Sequence, residues 1–448
     1  MKLDKSIAYC GLALLACLSY VWISYGLDRE SFALLFFLYS FCFVLGLFLS
    51  KLSENFSWQS ILLIGLIFRL SLIGSIPNLS DDFARFLWDG ELLGLGSNPY
   101  ELTPESWIQQ NQESMNAYLS ELFDLMNSKG YFSIYPPSNQ LIFWLSGLVS
   151  DTQLLHPIIL LRIILILGEV GVFFLLRKLV LALNLPQSRI GWYWLNPLAV
   201  LEISGNLHFE GLVLLGVLGS VYFLNKSNVF GGTAALVASI GIKLVPLILI
   251  PTLFFSKKIR SNFGFWLGGG LVFILAFSPL LFDQSYENLW ESIRLYQGKF
   301  EFNASVYFLL REVGFWIKGY NTIATLTKIL TLITFVWIVW VSVKNKTKDT
   351  SAFIHLWVSI YLIYLILQPV VHPWYLLPVL GLSLLSDSKT AILWSWTIIF
   401  SYQAYGNPDF YEKPIYLWIE YVPVFIFLIW EFREQILPQP FHTKTDVN

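Results

Sequence analysis

Apolar runs close to the ~20 residues that a helix needs to cross a bilayer recur from one end of this chain to the other. They fall at about 7–25, 32–50, 58–76, 156–177, 190–204, 210–225, 229–242, 245–256, 262–281, 321–343, 352–369, 372–385, 389–404 and 415–431. The shorter ones, near 190–256 and 372–404, suit half-helices or re-entrant pairs, which a membrane tolerates only where protein or a cavity covers the broken backbone. Lys2 precedes a first run with no small-residue cleavage site, so that run is expected to remain as a span. The basic residues between runs then share one side: Lys2 and Lys5, Lys51, Arg177, Lys178 and Arg189, Lys226, Lys257, Lys258 and Arg260, Lys344, Lys346 and Lys348, Lys389 and Arg433. By the positive-inside bias that side is cytoplasmic, and both termini lie there. The pattern holds only if the run from Pro136 to Leu145 does not cross. At about 14 residues it is too short to span, and it is predicted as a juxtamembrane helix on the outer face.

The polar stretch at 77–155 thereby becomes one long extracytoplasmic loop within a single integral membrane domain spanning 1–448. Up to Tyr135 it is acidic, and Tyr118, Leu119, Leu122, Phe123 and Met126 sit at helical spacing. A second outer loop covers about 283–320. Composition agrees with this picture: of 448 residues 56% are hydrophobic and 13% charged, against about 25% charged in soluble domains. A net charge of −2 and the lack of any basic-aromatic face argue against a nucleic-acid partner. Cys10, Cys17 and Cys42 lie inside the first two runs without metal-ligand spacing and read as small apolar residues. No phosphate loop, dinucleotide fingerprint or zinc motif is present, which disfavours nucleotide-driven and zinc chemistry.

The best polar candidates converge on the outer side of this topology: Asp81 and Asp82, His208 and Glu210, Lys243, Asn303, Arg311 and His372. Charged groups at a membrane edge are functional candidates by default. Ser80 can cap a short helix whose first turn holds Asp81 and Asp82, and neighbouring carboxylates push their proton affinities apart. One could act as general base while the other orients a hydroxyl or binds a cation. The alternative is plain capping with ion pairs to Arg85, and an Arg85–Asp89 pair at i,i+4. Arg69 lies inside a span and either serves the site or snorkels. Lys243, flanked by apolar runs, needs an anionic partner, for which a lipid phosphate is the obvious choice. His372 with Tyr375 could equally belong to an interfacial aromatic belt.

The run Ser80-Asp81-Asp82…Arg85…Leu87-Trp88-Asp89-Gly90…Gly96-Ser97-Asn98-Pro99-Tyr100 resembles the first-loop signature of bacterial GT-C glycosyltransferases. The nearest group in pattern is the polyprenol-phosphate-mannose-dependent mannosyltransferases, similar to glycosyltransferase family 87 and more distantly to GPI mannosyltransferase I. Tyr135-Pro136-Pro137, Asn196-Pro197, Lys243…Pro246, Phe302-Asn303 with Ser305, and His372-Pro373-Trp374-Tyr375 follow in the same order. The chain departs from that pattern at His208-Phe209-Glu210, where related chains often have Asn-Asp or His-Asn-Asp.

The resemblance implies an all-α polytopic fold, a GT-C-type bundle of roughly 11–14 transmembrane helices with juxtamembrane helices on the long first loop. It implies an inverting transfer of a hexose, mannose first, from a polyprenyl-phosphate donor to a glycan or glycolipid acceptor at the extracytoplasmic face of the plasma (inner) membrane. Asp81 is the first choice for the base, Asp82 the second. Arg69, Arg85, Trp88, Asn98, Tyr135, His208, Glu210, Lys243, Asn303, Arg311, His372 and Tyr375 are the expected substrate-binding residues. No metal ligand set or cofactor is expected, although the aspartate pair could hold a divalent cation. Two other readings stay open: a flippase for a lipid-linked sugar, which predicts charges through both leaflets, and a polysaccharide polymerase or ligase using a lipid-diphosphate donor.

Overall fold

The computed structural model describes residues 2–55, 57–150, 153–345, 350–407 and 410–436. Lys346 and Lys348, used above for orientation, lie outside the described residues, as do the side chains of Lys2 and Lys5. The described chain is helical throughout, with a single isolated parallel bridge between Phe302 and Val370. It is an all-α polytopic membrane protein. Seven described helices are long and apolar enough to cross a bilayer, and one further pair, Pro197–Gly205 with Glu210–Asn225, is bent by 118°.

The first three helices are α1 (Lys2–Tyr25), α2 (Phe32–Leu52) and α3 (Trp58–Leu70). The long loop then folds into α4 (Asp82–Gly94), α5 (Pro104–Gln110), α6 (Ala117–Leu125) and α7 (Pro137–Gly147). The central part comprises α8 (Leu155–Ala182), the short α9 (Gly191–Trp194) and α10 (Pro197–Ala199), α11 (Glu210–Asn225), α12 (Val229–Ile242), α13 (Ile250–Phe255), α14 (Lys257–Arg260) and α15 (Phe263–Phe277). The second loop holds α16 (Ser285–Lys299) and α17 (Val306–Lys318). The chain closes with α18 (Ile323–Lys344), α19 (Thr350–Leu367), α20 (Leu377–Ser383), α21 (Thr390–Thr397) and α22 (Pro414–Ile436).

Sequence dictates which faces turn outward. Along α18, Ile329, Leu332, Ile333, Val336, Trp340 and Val343 are exposed, while Thr327, Leu330, Thr334 and Ile338 are buried. An apolar face left open in this way is matched to lipid tails, and the small polar residues face the bundle, where helix contacts in membranes are made. Charges buried inside the bundle are answered locally. Arg69 reaches Glu169 at 2.7 Å and the Trp194 carbonyl at 2.8 Å, and its guanidinium lies 3.8 Å from the centre of the Trp194 ring. Tyr193 donates to the second Glu169 oxygen at 2.8 Å. Arg162 ties the end of the bent pair down by donating to the carbonyls of Ser204, Gly205 and Ile73.

Arg189 pairs with Asp387 at 3.0 Å and Glu431 accepts from the Thr390 N–H at 3.0 Å. Arg29 pairs with Asp81 at 2.7 Å, and Asn288 donates to the Tyr100 carbonyl at 2.8 Å. The run from Pro136 does form a short helix, α7. It packs on α4, α8 and α12 rather than lying free on a surface.

Candidate active site

α11 and α12 are consecutive helices packed against each other, so the start of α11 meets the end of α12. Glu210 opens α11, where the helix dipole favours a carboxylate. Lys243 caps α12 with an extended backbone (φ −152°, ψ 138°), and its ammonium forms an ion pair with Glu210. Glu210 is buried and Lys243 part-buried, so the pair is costly unless each charge is well matched. Glu210 is not: one of its oxygens is buried without a partner.

The start of α4 lies within electrostatic reach of this pair. Asp81 takes the N-cap position and Ser80 Oγ accepts the Asp82 N–H at 3.3 Å. The two aspartates then part company. Asp81 pairs with Arg29 at the rim. Asp82, by contrast, receives no hydrogen bond on its carboxylate from any described residue. Burial pushes the Asp82 carboxyl up to about 6, opposed by Lys243 and reinforced by Glu210 and Asp81. A carboxylate in that range exchanges protons near neutral pH.

The third element is a ring stack. His208 stacks on Trp374 at 3.6 Å between ring centres, His372 on the same indole at 4.4 Å, and Phe302 on His372 at 4.9 Å. His208 Nε2 stands 3.6 Å from Glu202 Oε2, too long for a hydrogen bond. His208 Nε2 and Trp374 Nε1 are both buried and unpartnered. Native proteins rarely leave such groups unsatisfied, and here these two nitrogens and the bare Glu210 oxygen gather free hydrogen-bonding capacity at one place. Tyr375 covers Lys243, whose ammonium lies 5.1 Å from the ring centre. Tyr135 is edge-on to Phe86 and Phe143 and interacts electrostatically with Asp82.

The turn that positions His208 is strained. Leu207 sits at φ +66°, a region costing a bulky residue about 1–3 kcal/mol. Around it Glu202 accepts from Tyr402 and Asn206, and Asn206 accepts the Leu79 N–H at 3.2 Å. The bend of the pair is thereby fixed to the segment leading into Asp81.

A groove of about 580 Å³ runs beside the α11–α12 hairpin, lined by Leu212, Gly216, Gly219, Ala235, Ser239 and Ile242 among others. Small residues open it, and it reaches Ile242, one residue before Lys243.

The remaining candidates fall elsewhere. Arg69 is sealed in the bundle with Glu169. Arg85 turns from both Asp81 and Asp82 to Asp89 at 2.7 Å and to the carbonyls of Ser128 and Tyr131. Asp89 also accepts from Ser133 at 2.6 Å and Gln140 at 2.8 Å, which staples α4 to α7. Trp88 is buried edge-on against Trp107, and Asn98 donates to Ser285 at 2.9 Å. Gly90 lets the helices cross: a Cβ there would run into the Phe143 carbonyl, and one on Gly147 would lie 2.6 Å from the Gly90 carbonyl. Asn303, at φ +47°, pins its loop to the last helix by donating to Glu420 at 3.1 Å. Arg311 pairs with Glu301 at 2.8 Å and Glu312 at 3.0 Å in a separate pocket. Among the described residues, no group of three or more His, Cys, Asp or Glu gathers as a metal-binding set.

Glu202, Tyr402, Tyr296 and Arg29 join the cluster or its walls without having been singled out in the sequence. Glu202 had a visible signal, a carboxylate within an apolar run. Arg29, Tyr296 and Tyr402 had none, because they arrive from distant elements.

The sequence profile of the alpha-(1->6)-mannopyranosyltransferase family, N-terminal domain, matches residues 30–256, a stretch that contains Asp82, His208, Glu210 and Lys243. No curated protein matches the chain.

Proposed function

Because the chain belongs to the alpha-(1->6)-mannopyranosyltransferase family, it is a membrane mannosyltransferase, and we propose that it takes mannose from a polyprenyl-phosphate donor at the extracytoplasmic face with Asp82 as general base. The observation that carries this reading is the open cluster itself: a carboxylate without a protein partner, raised towards neutrality, within reach of a lysine at the end of an apolar groove. The groove suits a hydrocarbon tail, and Lys243 suits the phosphate that such a tail bears.

In the reaction, an acceptor hydroxyl oxygen attacks the anomeric carbon of mannose from the face opposite the phosphate. Asp82 takes the hydroxyl proton as the new C–O bond forms. The bond between the anomeric carbon and the phosphate oxygen breaks, and its electron pair leaves with the phosphate. Lys243 offsets the charge gathering there, and Glu210 holds the lysine in place. Inversion means that an α product requires a β-linked donor. Asp81, committed to Arg29, shapes the rim and raises the proton affinity of Asp82. Trp374, braced by His208 and His372, offers a wall against which a sugar ring can lie.

The test is transfer from radiolabelled polyprenyl-phosphate-mannose by purified protein in lipid nanodiscs, with Lys243→Gln alongside. Labelled α-linked product, and a rate at least tenfold lower for Lys243→Gln, are expected. Labelled lipid moved across a vesicle bilayer with no covalent product would overturn the reading in favour of transport.

A further inference from the structure

A second pocket of about 390 Å³ opens between the 301–305 turn, α17 and the start of α22. Its base is apolar and belongs to a membrane-spanning helix: Leu417, Tyr421, Val422 and Phe425 line it. Its mouth is charged, with Glu301, Glu312 and Glu412 against Arg311. Arg311 is already engaged by Glu301 and Glu312, so the mouth keeps net negative charge. Burial pushes the Glu412 carboxyl up to about 7, leaving it able to accept or donate near neutral pH. Tyr411 and Trp418 stand 60% and 55% exposed at the same pocket and offer flat faces to a sugar ring.

One short segment forms the wall between this pocket and the catalytic cluster. Asn303 donates its N–H to Glu412 at 2.6 Å on the pocket side. Phe302, the residue before it, stacks on His372 on the cluster side. These two apolar cavities therefore end in opposite charge: the groove beside α11 and α12 approaches a lysine, and this pocket ends in carboxylates. A lipid phosphate fits the first and is repelled by the second.

We propose that the pocket between α17 and α22 holds the lipid anchor and proximal sugar of an uncharged glycolipid acceptor, whose far end reaches Asp82 past Phe302. Here Glu301 and Glu412 accept sugar hydroxyls, while Leu417, Val422 and Phe425 cover the tail. The proposal rests on the transferase reading for the word acceptor, but binding is measured independently of transfer.

The full-length protein in nanodiscs is photolabelled with octyl mannoside carrying a diazirine in its tail, and with the matching octyl phosphate. Labelled peptides are mapped by mass spectrometry. The mannoside is expected to label 410–425 and 304–312, with at least fivefold less labelling by the phosphate at equal concentration. Trp418→Ala and Glu412→Gln should each reduce it; as substitutions at the pocket, they should leave binding of the polyprenyl-phosphate donor unchanged. In transfer assays the same two variants should raise KM for an octyl oligomannoside acceptor about tenfold and leave KM for polyprenyl-phosphate-mannose unchanged. Absent labelling, preferential labelling by the phosphate, or unchanged KM for the octyl oligomannoside would each overturn the proposal. A variant lacking Asp82 that still transfers mannose would instead overturn the catalytic reading and leave the labelling result standing.

Discussion

Arg69 with Glu169 and Lys243 with Glu210 are both ion pairs set into one helical bundle, but they differ in what is left over on the acid. Both Glu169 oxygens are occupied, one by Arg69 and one by Tyr193, and the guanidinium is covered by Trp194, with Arg69 Nε its one bare atom. Glu210 retains a bare oxygen, His208 and Trp374 each retain a bare nitrogen, and Asp82 faces them with no donor at all. Arg85 with Asp89 is nearer the first kind, since Arg85, Ser133 and Gln140 fill both Asp89 oxygens, although Arg85 Nη2 and Gln140 Oε1 stay bare. A closed cluster holds helices together. An open one leaves carboxylate oxygens free to accept a further hydrogen bond.

The comparison breaks most visibly if a closed cluster is opened. Arg69→Ala leaves Glu169 buried and unpaired, which should cost about 3–5 kcal/mol. Thermal unfolding in detergent should report a much lower Tm, and Arg69→Met with Glu169→Leu should recover most of the loss. Next, Gly90→Ala forces α4 away from the Phe143 carbonyl at an expected cost of about 1–3 kcal/mol. Because the same helix presents Asp82, transfer should fall further than stability does, which parallel Tm and rate measurements separate.

The open cluster should answer to pH instead. The proton-bound form of Asp82 prevails below about 6 and cannot accept the hydroxyl proton. Transfer should therefore fall about tenfold per unit below that pH and level off above it; a flat profile from pH 4.5 to 8 would remove Asp82 from the role. The smallest effect is expected from chelation. With Lys243 supplying the positive charge, EDTA should change the rate by less than about twofold.

Much of the fold was legible because lipid enforces a simple code. The runs at 210–225 and 229–242 are α11 and α12 to the residue, since an apolar stretch bounded by polar residues can satisfy its backbone only as a helix. The grouping of Asp82, His208, Glu210, Lys243 and His372 was expected from the same pattern, which also put Asn303 and Arg311 with them; those two pair elsewhere, with Glu420 and Glu301. What sequence could not say is which polar residue is closed. Arg85, Trp88 and Asn98 stand in the most telling motif of the chain, yet they build the support for Asp82. Their partners, Ser128, Trp107 and Ser285, come from other elements. The sequence favours Asp81 over Asp82 as the base and carries no signal of Arg29, more than fifty positions earlier, which pairs with Asp81.

That preference can be decided at the bench. The most direct measurement compares Asp82→Asn with Asp81→Asn for transfer from radiolabelled polyprenyl-phosphate-mannose, both shown folded by their Tm. An open Asp82 as base predicts a loss of about 10²–10⁴ for Asp82→Asn and a loss within about tenfold for Asp81→Asn, whose rim ion pair is worth little. Retained transfer by Asp82→Asn, with Asp81→Asn inactive, would contradict the account.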